Sequence, residues 1–283
     1  MADKPIRKID LHIHTQISDG TDTPKEIITK VRSAGIDLFS VTDHDAIKAC
    51  GLIRESLTEN DPLFISGIEF SCKDRYGKYH ILGYGYDDGA GPIRSIVEKG
   101  HSMRIEKTKM RLEKIRSLFG FTFPDEDVRQ LFENHNPGKP HIAKLMIKYG
   151  YADSMHEAFE KYLDRASIPS VYTLPEDAVN AIRESGGIPI LAHPSFGNGN
   201  DLILGDEMDQ RLQRLIAYGL QGVEAYYSGF TEKLQNEVLD FAEKYGLYVT
   251  AGSDYHGTNK NIPLGRLNNK DIKIDAKNFT IFK

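Results

Sequence analysis

The sequence predicts a mixed α/β fold in which a mainly parallel sheet forms a closed or nearly closed barrel, interrupted by a helical segment. Short apolar strand patterns alternate with helical patterns over residues 6–87, and the alternation resumes after residue 168. Between these stretches the pattern is helical only. We therefore expect a barrel built from residues 1–92 and 169–283, and a helical insertion over residues 93–168 that covers the barrel mouth.

The first strand is predicted in KIDLHIHT, residues 8–15, where apolar and polar residues alternate. Strand side chains point to opposite faces with period two, so Asp10, His12 and His14 share one face. We expect this polar face to line the barrel interior and the other face to pack outward against helices. The outward face would consist of Ile9, Leu11 and Ile13.

The next element is predicted to be a helix over TPKEIITKVRSAG, residues 23–35, because both of its ends carry boundary residues. Thr23 occupies the N-cap position, Pro24 the first helical position, and Glu26 completes a capping box before Gly35 ends the helix. Three further strands are predicted in DLFSVTDHD (37–45), LFISGIEFS (63–71) and YHILGYGY (79–86).

The insertion is predicted to be helical because apolar residues recur at helical spacing among many charges in HSMRIEKTKMRLEKIRSLFG, residues 101–120. Shorter helices follow in PDEDVRQLFENH, PHIAKLMIKYG and SMHEAFEKYL. The second barrel segment then contains the helices PEDAVNAIRESGG and EKLQNEVLDFAEKYG and the strands IPILAHP, QGVEAYYS and LYVTAGSDYHG.

Composition excludes several classes of function. Lys plus Arg number 36 and Asp plus Glu 41, so the net charge of −5 offers no general basic surface for duplex nucleic acid. The two cysteines, Cys50 and Cys72, form no CxxC pair, which excludes a thiolate zinc cluster and a disulfide framework. No long apolar run and no signal-peptide pattern is present, so we expect a cytoplasmic protein without a membrane segment.

Polar residues that bind metals occur repeatedly where the predicted strands end. In a parallel α/β barrel these ends meet around one cavity, so we expect the side chains to lie close together. Imidazoles and carboxylates without thiolates suit divalent Zn, Mn or Fe, and nine ligands are too many for one ion. The sequence therefore predicts two or three ions. The candidate ligands are His12, His14, Asp19, His44, Glu69, His80, His193, Asp254 and His256.

Several other polar residues occur in the same motifs and at neighbouring strand ends. Asp10, Asp43 and Asp45 either orient the imidazoles of ligands or cap turns. Glu224, at another strand end, is expected to be a solvated glutamate. The adjacent tyrosines, Tyr226 and Tyr227, either wall the pocket or pack in the core.

Six segments in this order resemble the PHP (polymerase and histidinol phosphatase) family of metal-dependent phosphoesterases. They are DLHIHTQISDG, VTDHD, GIEFS, HILGYGY, ILAHPS and GSDYHG. The resemblance implies a distorted (β/α)7 barrel. It also implies three metal positions, bound by His12, His14, Glu69 and Asp254, by Asp19, His44 and His256, and by His80 and His193 with Glu69 shared. A metal-bound hydroxide held by Glu69, Asp254, His256 and neighbouring ligands would then attack phosphorus.

The insertion resembles the branch of that family that acts on small nucleotides, through KPHIAKLM and SVYTLPEDAV. This implies a small phosphorylated substrate, such as a nucleoside 3′,5′-bisphosphate or a 5′-monophosphate, with short single-stranded RNA or DNA as an alternative. Histidinol phosphatases of the family are less similar to this chain in the insertion, so a histidinol-phosphatase-like activity is a further alternative. Arg104, Lys139 and His141 are the expected substrate contacts. Family members often have Arg at position 139, and lysine lacks the bidentate fork of a guanidinium.

Two other classes of protein compete with this interpretation. Metal-binding barrels of the amidohydrolase type also carry HxH on their first strand, but usually add a bridging lysine that no strand end here offers. A non-catalytic nucleotide-binding module would not need an intact ligand set. Nothing in the sequence indicates an obligate protein partner.

Overall fold

The computed structural model describes residues 6–133, 137–168, 172–196 and 202–267. The chain divides into two compact units: a barrel unit, Met1–Val97 with Thr173–Lys283, and a helical unit, Glu98–Tyr172.

The barrel unit contains one seven-stranded sheet whose spatial order follows the chain. Its strands are β1 Ile9–Asp10, β2 Leu38–Val41, β3 Leu63–Asp74, β4 Gly77–Tyr84, β5 Ile188–Leu191, β6 Gly222–Tyr227 and β7 Tyr248–Gly252. The first and last strands meet, because Leu11 N–H donates to Ala251 O at 3.0 Å and Ile13 bridges Tyr255 in parallel. The sheet is therefore nearly closed, which confirms the predicted barrel.

Helices cover the sheet and build the insertion. They are α1 Pro24–Ser33, α2 Lys48–Ser56, α3 Gly91–Phe119, α4 Asp125–Glu133, α5 Lys139–Lys148, α6 Met155–Glu157, α7 Pro175–Glu184, α8 Gly205–Tyr218 and α9 Glu232–Tyr245. A π-helical turn, Ala158–Leu163, follows α6. The capping box of α1 forms as predicted, with Thr23 and Glu26 satisfying each other's backbone N–H groups. The end of the helix predicted over PDEDVRQLFENH, residues 134–135, lies outside the described residues.

One strand departs from a simple strand–helix alternation. β4 runs antiparallel to both β3 and β5, whereas the other neighbouring strands are parallel. The cause is the turn at Asp74–Gly77, which is too short for the crossover that a parallel pair requires. Because β4 is reversed, His80 near its start pairs with Ser71 near the end of β3. His80 therefore lies at the barrel end where the parallel strands finish.

The prediction that Ile9 and Leu11 face outward from the barrel is wrong. Ile9 and Leu11 belong to an apolar cluster with residues of β2, β4, β5 and β7, which places both inside the barrel. Ile13 packs instead against α1 and α2. The regular strand ends at Asp10, whose carboxylate accepts the His12 N–H at 3.3 Å, so strict period-two geometry stops there.

The helical unit has a core of its own. This core includes Ile115, Leu131, Ile142 and Met146, all at most 4% exposed. None of the described helices is both long enough and apolar enough to cross a membrane.

Candidate metal centre at one end of the barrel

The predicted ligands gather at one end of the barrel, around the carboxylate of Glu69 in β3. Glu69 is only 1% exposed. Its Oε1 lies 2.9 Å from His80 Nδ1 and 3.2 Å from His193 Nε2. Its Oε2 lies 3.1 Å from His44 Nδ1 and 3.2 Å from His14 Nε2. One buried carboxylate thus contacts imidazoles that follow β1, β2 and β5 and one that lies in β4.

Two further carboxylates complete the cluster. Asp254, after β7, places Oδ1 at 3.3 Å from His256 Nδ1 and 3.5 Å from His14 Nε2. Asp19, in the loop after β1, places Oδ1 at 3.3 Å from His256 Nε2 and Oδ2 at 3.8 Å from His44 Nε2. With His12, which lies 3.4 Å from Glu69, all nine predicted residues occupy one cluster.

The described side chains form three overlapping groups that could each hold an ion, since one ligand atom from every member lies within 4.8 Å of the others. The groups are His14, Asp19, His44 and His256, then His12, His14 and Asp254, and then His44, Glu69 and His80. His193 reaches the third group through Glu69. The groups overlap at His14 and His44, so they resemble the sets implied by the motifs without repeating them.

Burial and mutual contact set the charges in the cluster. Burial and the neighbouring His256 lower the pKa of His14 to about 3, so its imidazole is neutral at pH 7. Burial favours the neutral form of Asp19, but His44 and His256 hold the pKa of that carboxyl well below its usual range. Burial also favours the neutral form of Asp254, but His12 and Lys260 hold the pKa of its carboxyl well below the usual range. Ionised carboxylates beside a neutral imidazole form a donor set for a divalent cation.

Hydrogen bonds outside the cluster orient two of its imidazoles. His256 Nδ1 donates to the backbone carbonyl of Asp254 at 2.9 Å, which turns Nε2 toward Asp19. His12 Nδ1 lies 2.9 Å from Glu224 Oε1, which turns its Nε2 toward His14 at 3.1 Å. Each imidazole thus directs its Nε2 at another member of the cluster.

Backbone strain is concentrated at the ends of the strands that carry the cluster. Among the described residues, the non-glycine residues with positive φ are Asp45, His193 and Asp254, at 51°, 27° and 57°. Such conformations cost on the order of 1–3 kcal/mol each and persist only where surrounding structure enforces them. Two of the three are predicted ligands, and Asp45 directly follows His44.

The two interpretations of Asp10, Asp43 and Asp45 can be compared with their hydrogen bonds, which go to backbone N–H groups and hydroxyls of neighbouring segments. Asp10 accepts hydrogen bonds from the backbone and hydroxyl of Ser253 at 2.9 and 2.6 Å. Asp43 accepts from both the N–H and the hydroxyl of Thr15, at 2.8 and 2.7 Å. Asp45 accepts the N–H of Ser71 at 3.0 Å. Their contacts fix the loops from which the predicted ligands project.

Three residues contact the cluster although the sequence patterns did not assign them to the site: Glu224, Tyr227 and Lys260. Glu224 was expected to be solvated, but it is fully buried beside His12. Tyr227 walls the site, because its hydroxyl donates to Asp254 Oδ2 at 2.9 Å. Lys260 Nζ lies 2.6 Å from the same oxygen. A β-bulge between Glu224 and Tyr226 shifts the register of β6 against β7, and no sequence pattern here signals it.

The predicted substrate contacts lie in the helical unit, around the start of α5. Lys139 and His141 occupy the first turn of this helix. The guanidinium of Arg104 lies about 4.0 Å from the position that a Cβ on Gly138 would take, immediately before α5. The ammonium of Lys139 also pairs with Asp164 at 2.6 Å. The three predicted residues are therefore neighbours.

Comparison with known sequences agrees with the motifs. A family model described as the PHP domain matches residues 10–166. The chain is 26% identical over 264 residues to a phosphoribosyl 1,2-cyclic phosphate 1,2-diphosphodiesterase from Eggerthella lenta, covering 90% of this chain and 96% of that protein. It is also 26% identical to a 3′,5′-nucleoside bisphosphate phosphatase from Chromobacterium violaceum, with 88% and 87% covered. Identity to the 5′-3′ exoribonuclease Rnm of Escherichia coli is again 26%, with 91% and 88% covered.

Solved structures share the fold over nearly the whole chain. One is a protein from Bifidobacterium adolescentis whose assignment as a metal-dependent phosphoesterase is itself a prediction, with a TM-score of 0.80, 26% identity, and 99% and 100% of the two chains covered. Another is an amidohydrolase from Chromobacterium violaceum with bound sulfate and no metal, with a TM-score of 0.79, 25% identity, and 93% and 91% covered. The resemblance seen in the motifs is confirmed: the chain belongs to the PHP domain family.

Proposed function

We propose that the protein is a metal-dependent phosphoesterase that hydrolyses phosphomonoesters of small nucleotides. The observation that carries the proposal is the cluster of imidazoles and carboxylates around Glu69 at the barrel end. Family membership and the named relatives support the phosphoesterase class. The similarity to a 3′,5′-nucleoside bisphosphate phosphatase supports a small nucleotide as the substrate.

The donor set fits two or three divalent ions of Mn, Fe or Zn. It offers only nitrogen and oxygen atoms, with carboxylates ionised by the basic groups around them. We assign one position to His12, His14, Glu69 and Asp254, a second to Asp19, His44 and His256, and a third to His80 and His193 with Glu69 shared. When bound, such ions supply Lewis acidity and activate water for attack on phosphorus.

The protein's own residues prepare this chemistry by holding charge in fixed positions. Although burial opposes it, His44, His80 and His12 keep the pKa of Glu69 well below its usual range, so the central carboxylate stays ionised. Tyr227 and Lys260 hold the second oxygen of Asp254, which leaves Oδ1 directed at the cluster. Preorganised charges of this kind need no rearrangement as negative charge builds on a phosphoryl group.

Arg104, Lys139 and His141 are proposed to bind the substrate's phosphate or base. The start of a helix favours anions, and these residues surround the start of α5. Lys139 would exchange or share its contact with Asp164 when it meets a phosphate.

Two further predictions from the sequence stay predictions. One is that the insertion covers the site, and the other is that the protein is cytoplasmic.

The test is a comparison of phosphate release by protein stripped of metal with chelator and protein reloaded with Mn²⁺, Fe²⁺ or Zn²⁺. The panel contains nucleoside 3′,5′-bisphosphates, 5′-monophosphates, histidinol phosphate and short 5′-phosphorylated RNA. We expect metal-dependent release with preference for a small nucleotide. Reloaded protein that releases no phosphate from any of them would refute the proposal.

A second candidate is 5′-3′ exonuclease activity on short oligonucleotides, favoured by the Escherichia coli relative that covers 91% of this chain. Release of mononucleotides from 5′-phosphorylated RNA, faster than release of phosphate from mononucleotides, would support it. Because one structural neighbour is named an amidohydrolase, amide and lactam substrates belong in the panel as well. Turnover of those substrates without phosphate release would instead favour C–N bond hydrolysis.

A further inference from the structure

Glu224 in β6 is a fully buried carboxylate with both oxygens engaged at the candidate metal centre. Its side chain has no solvent exposure. Oε1 lies 2.9 Å from His12 Nδ1, and Oε2 accepts the backbone N–H of His193 at 2.9 Å. One side chain on β6 therefore contacts residues that follow β1 and β5, and both of those residues are predicted ligands.

The contact with His12 determines which ring nitrogen carries a proton. A neutral imidazole that binds a metal ion through one ring nitrogen carries its proton on the other, so His12 Nδ1 donates to Glu224 when Nε2 binds the ion. Nε2 is then the nitrogen presented to the cluster, at 3.4 Å from Glu69 Oε2 and 3.6 Å from Asp254 Oδ1. Imidazoles that bind metals characteristically donate their other N–H to a carboxylate or carbonyl, which fixes both tautomer and ring orientation.

The contact with His193 acts on the backbone. His193 has a φ of 27°, a conformation that a non-glycine residue adopts only when its surroundings enforce it. The hydrogen bond from its N–H to Glu224 supplies such a constraint. In this conformation His193 Nε2 lies 3.2 Å from Glu69 Oε1. Glu224 therefore orients His193 through its main chain and His12 through its ring.

The packing around Glu224 leaves little room for it to move. A Cβ placed on Gly252 of β7 would lie 2.7 Å from Glu224 Oε1 and 2.1 Å from the Cβ of His12. The β-bulge of β6 begins at Glu224 itself. Bulges commonly redirect side chains next to functional sites.

We infer that Glu224 is a positioning residue that sets the orientations of His12 and His193 and thereby raises the metal affinity of the centre. The inference rests on the proposed function, because it concerns the same metal ions. Glutamine is the informative replacement, since it has the shape of glutamate but one acceptor and one donor group. If the amide oxygen keeps the bond to His12, its NH₂ group faces the His193 N–H, and one of the two bonds is lost.

The experiment is a Zn²⁺ titration of full-length, metal-free wild-type, Glu224→Gln and Glu243→Gln protein in competition with a chromophoric chelator. Glu243 is exposed on α9, so its variant matches the change in charge without touching the centre. We expect Zn²⁺ to bind Glu224→Gln about 10–100-fold more weakly than wild type, and Glu243→Gln to bind like wild type. In the zinc-loaded proteins, histidine ¹⁵N NMR should show the His12 Nδ1–H signal shifted or lost only in Glu224→Gln.

Binding by Glu224→Gln within twofold of wild type, with an unchanged His12 signal, would overturn the inference. If this variant does not fold, Glu224→Asp replaces it. Aspartate keeps the charge but is one methylene too short to reach both partners, so weaker Zn²⁺ binding is again expected and wild-type affinity again overturns the inference. Wild-type protein that binds Zn²⁺ but hydrolyses no phosphate ester would refute the proposed function and leave the result for Glu224 standing.

Discussion

Gly252 is the glycine whose replacement should damage the candidate centre most directly. It ends β7 where this strand meets the segment after β1. An alanine Cβ there would lie 2.1 Å from His12 Cβ, 2.8 Å from His12 N and 2.7 Å from Glu224 Oε1. Distances below 3.0 Å are not tolerated by real Cβ atoms, and both neighbours are fully buried. The contact between the first and last strands would have to widen.

The size of the effect follows from the cost of overpacking. Extra methyl groups in a packed core typically cost about 1–3 kcal/mol, and we expect the upper end because a backbone atom is among the clashing groups. At about 2–4 °C per kcal/mol, Gly252→Ala should lower the melting temperature of the metal-free protein by roughly 6–12 °C. It should also weaken Zn²⁺ binding, because His12 is displaced.

Gly51→Ala is the matched control. Gly51 lies inside α2, and a Cβ there would meet nothing within 4 Å. Replacing a helical glycine by alanine should therefore stabilise the protein, by up to about 1 kcal/mol. Thermal unfolding of the three metal-free proteins, followed by circular dichroism, separates the outcomes. A melting temperature for Gly252→Ala equal to or above that of wild type would refute the steric argument.

Three more outcomes are expected. Chelation should abolish phosphate release and lower the melting temperature, since ions at 100 times their Kd add about 2.7 kcal/mol, and activity that survives full metal removal would contradict this. Lys260→Met should destabilise the metal-free protein by about 0.5–1 kcal/mol near pH 7, because Lys260 helps to depress the pKa of Asp254. A depressed carboxyl pKa contributes its full stability above the unfolded value and loses it progressively as pH falls toward the folded value, so urea titrations should show the difference shrinking as pH falls below about 4. His141→Ala should raise KM for a nucleotide by roughly 2–10-fold, the equivalent of one hydrogen bond, and unchanged kinetics would remove His141 from the site.

The sequence predicted the barrel and the gathering of nine polar residues because both depend on local patterns. The predicted segments DLFSVTDHD and IPILAHP contain β2 and β5 but run past the ends of these strands at Val41 and Leu191. The general geometry of α/β barrels still implied that His44 and His193 would meet. That these residues bind metal stays a prediction. Glu69, at the centre of the cluster, is a carboxylate near the end of the predicted strand LFISGIEFS, although β3 continues to Asp74.

What escaped prediction depends on departures from regular geometry. Period-two alternation placed Leu11 outside the barrel, but the strand loses its regularity after Asp10 and Leu11 lies inside. The same rule cannot anticipate the bulge that begins at Glu224, so the burial of that carboxylate was missed. Lys260 reaches Asp254 from an irregular segment after β7, where no periodicity applies.

The closure of the sheet between β1 and β7 has a consequence for folding. The hydrogen bonds from Ser253 to Asp10 join residues 243 positions apart, whereas β3 and β4 pair through a short local turn. Contacts of long sequence separation form slowly, because most of the chain must be ordered before they offset the entropy of loop closure. Glu69 and His80 can therefore meet early, but Asp19 and His256 meet only when the two ends of the chain join. Capture of a full complement of ions would then mark the end of folding, and the kinetics of metal uptake would report when the barrel closes.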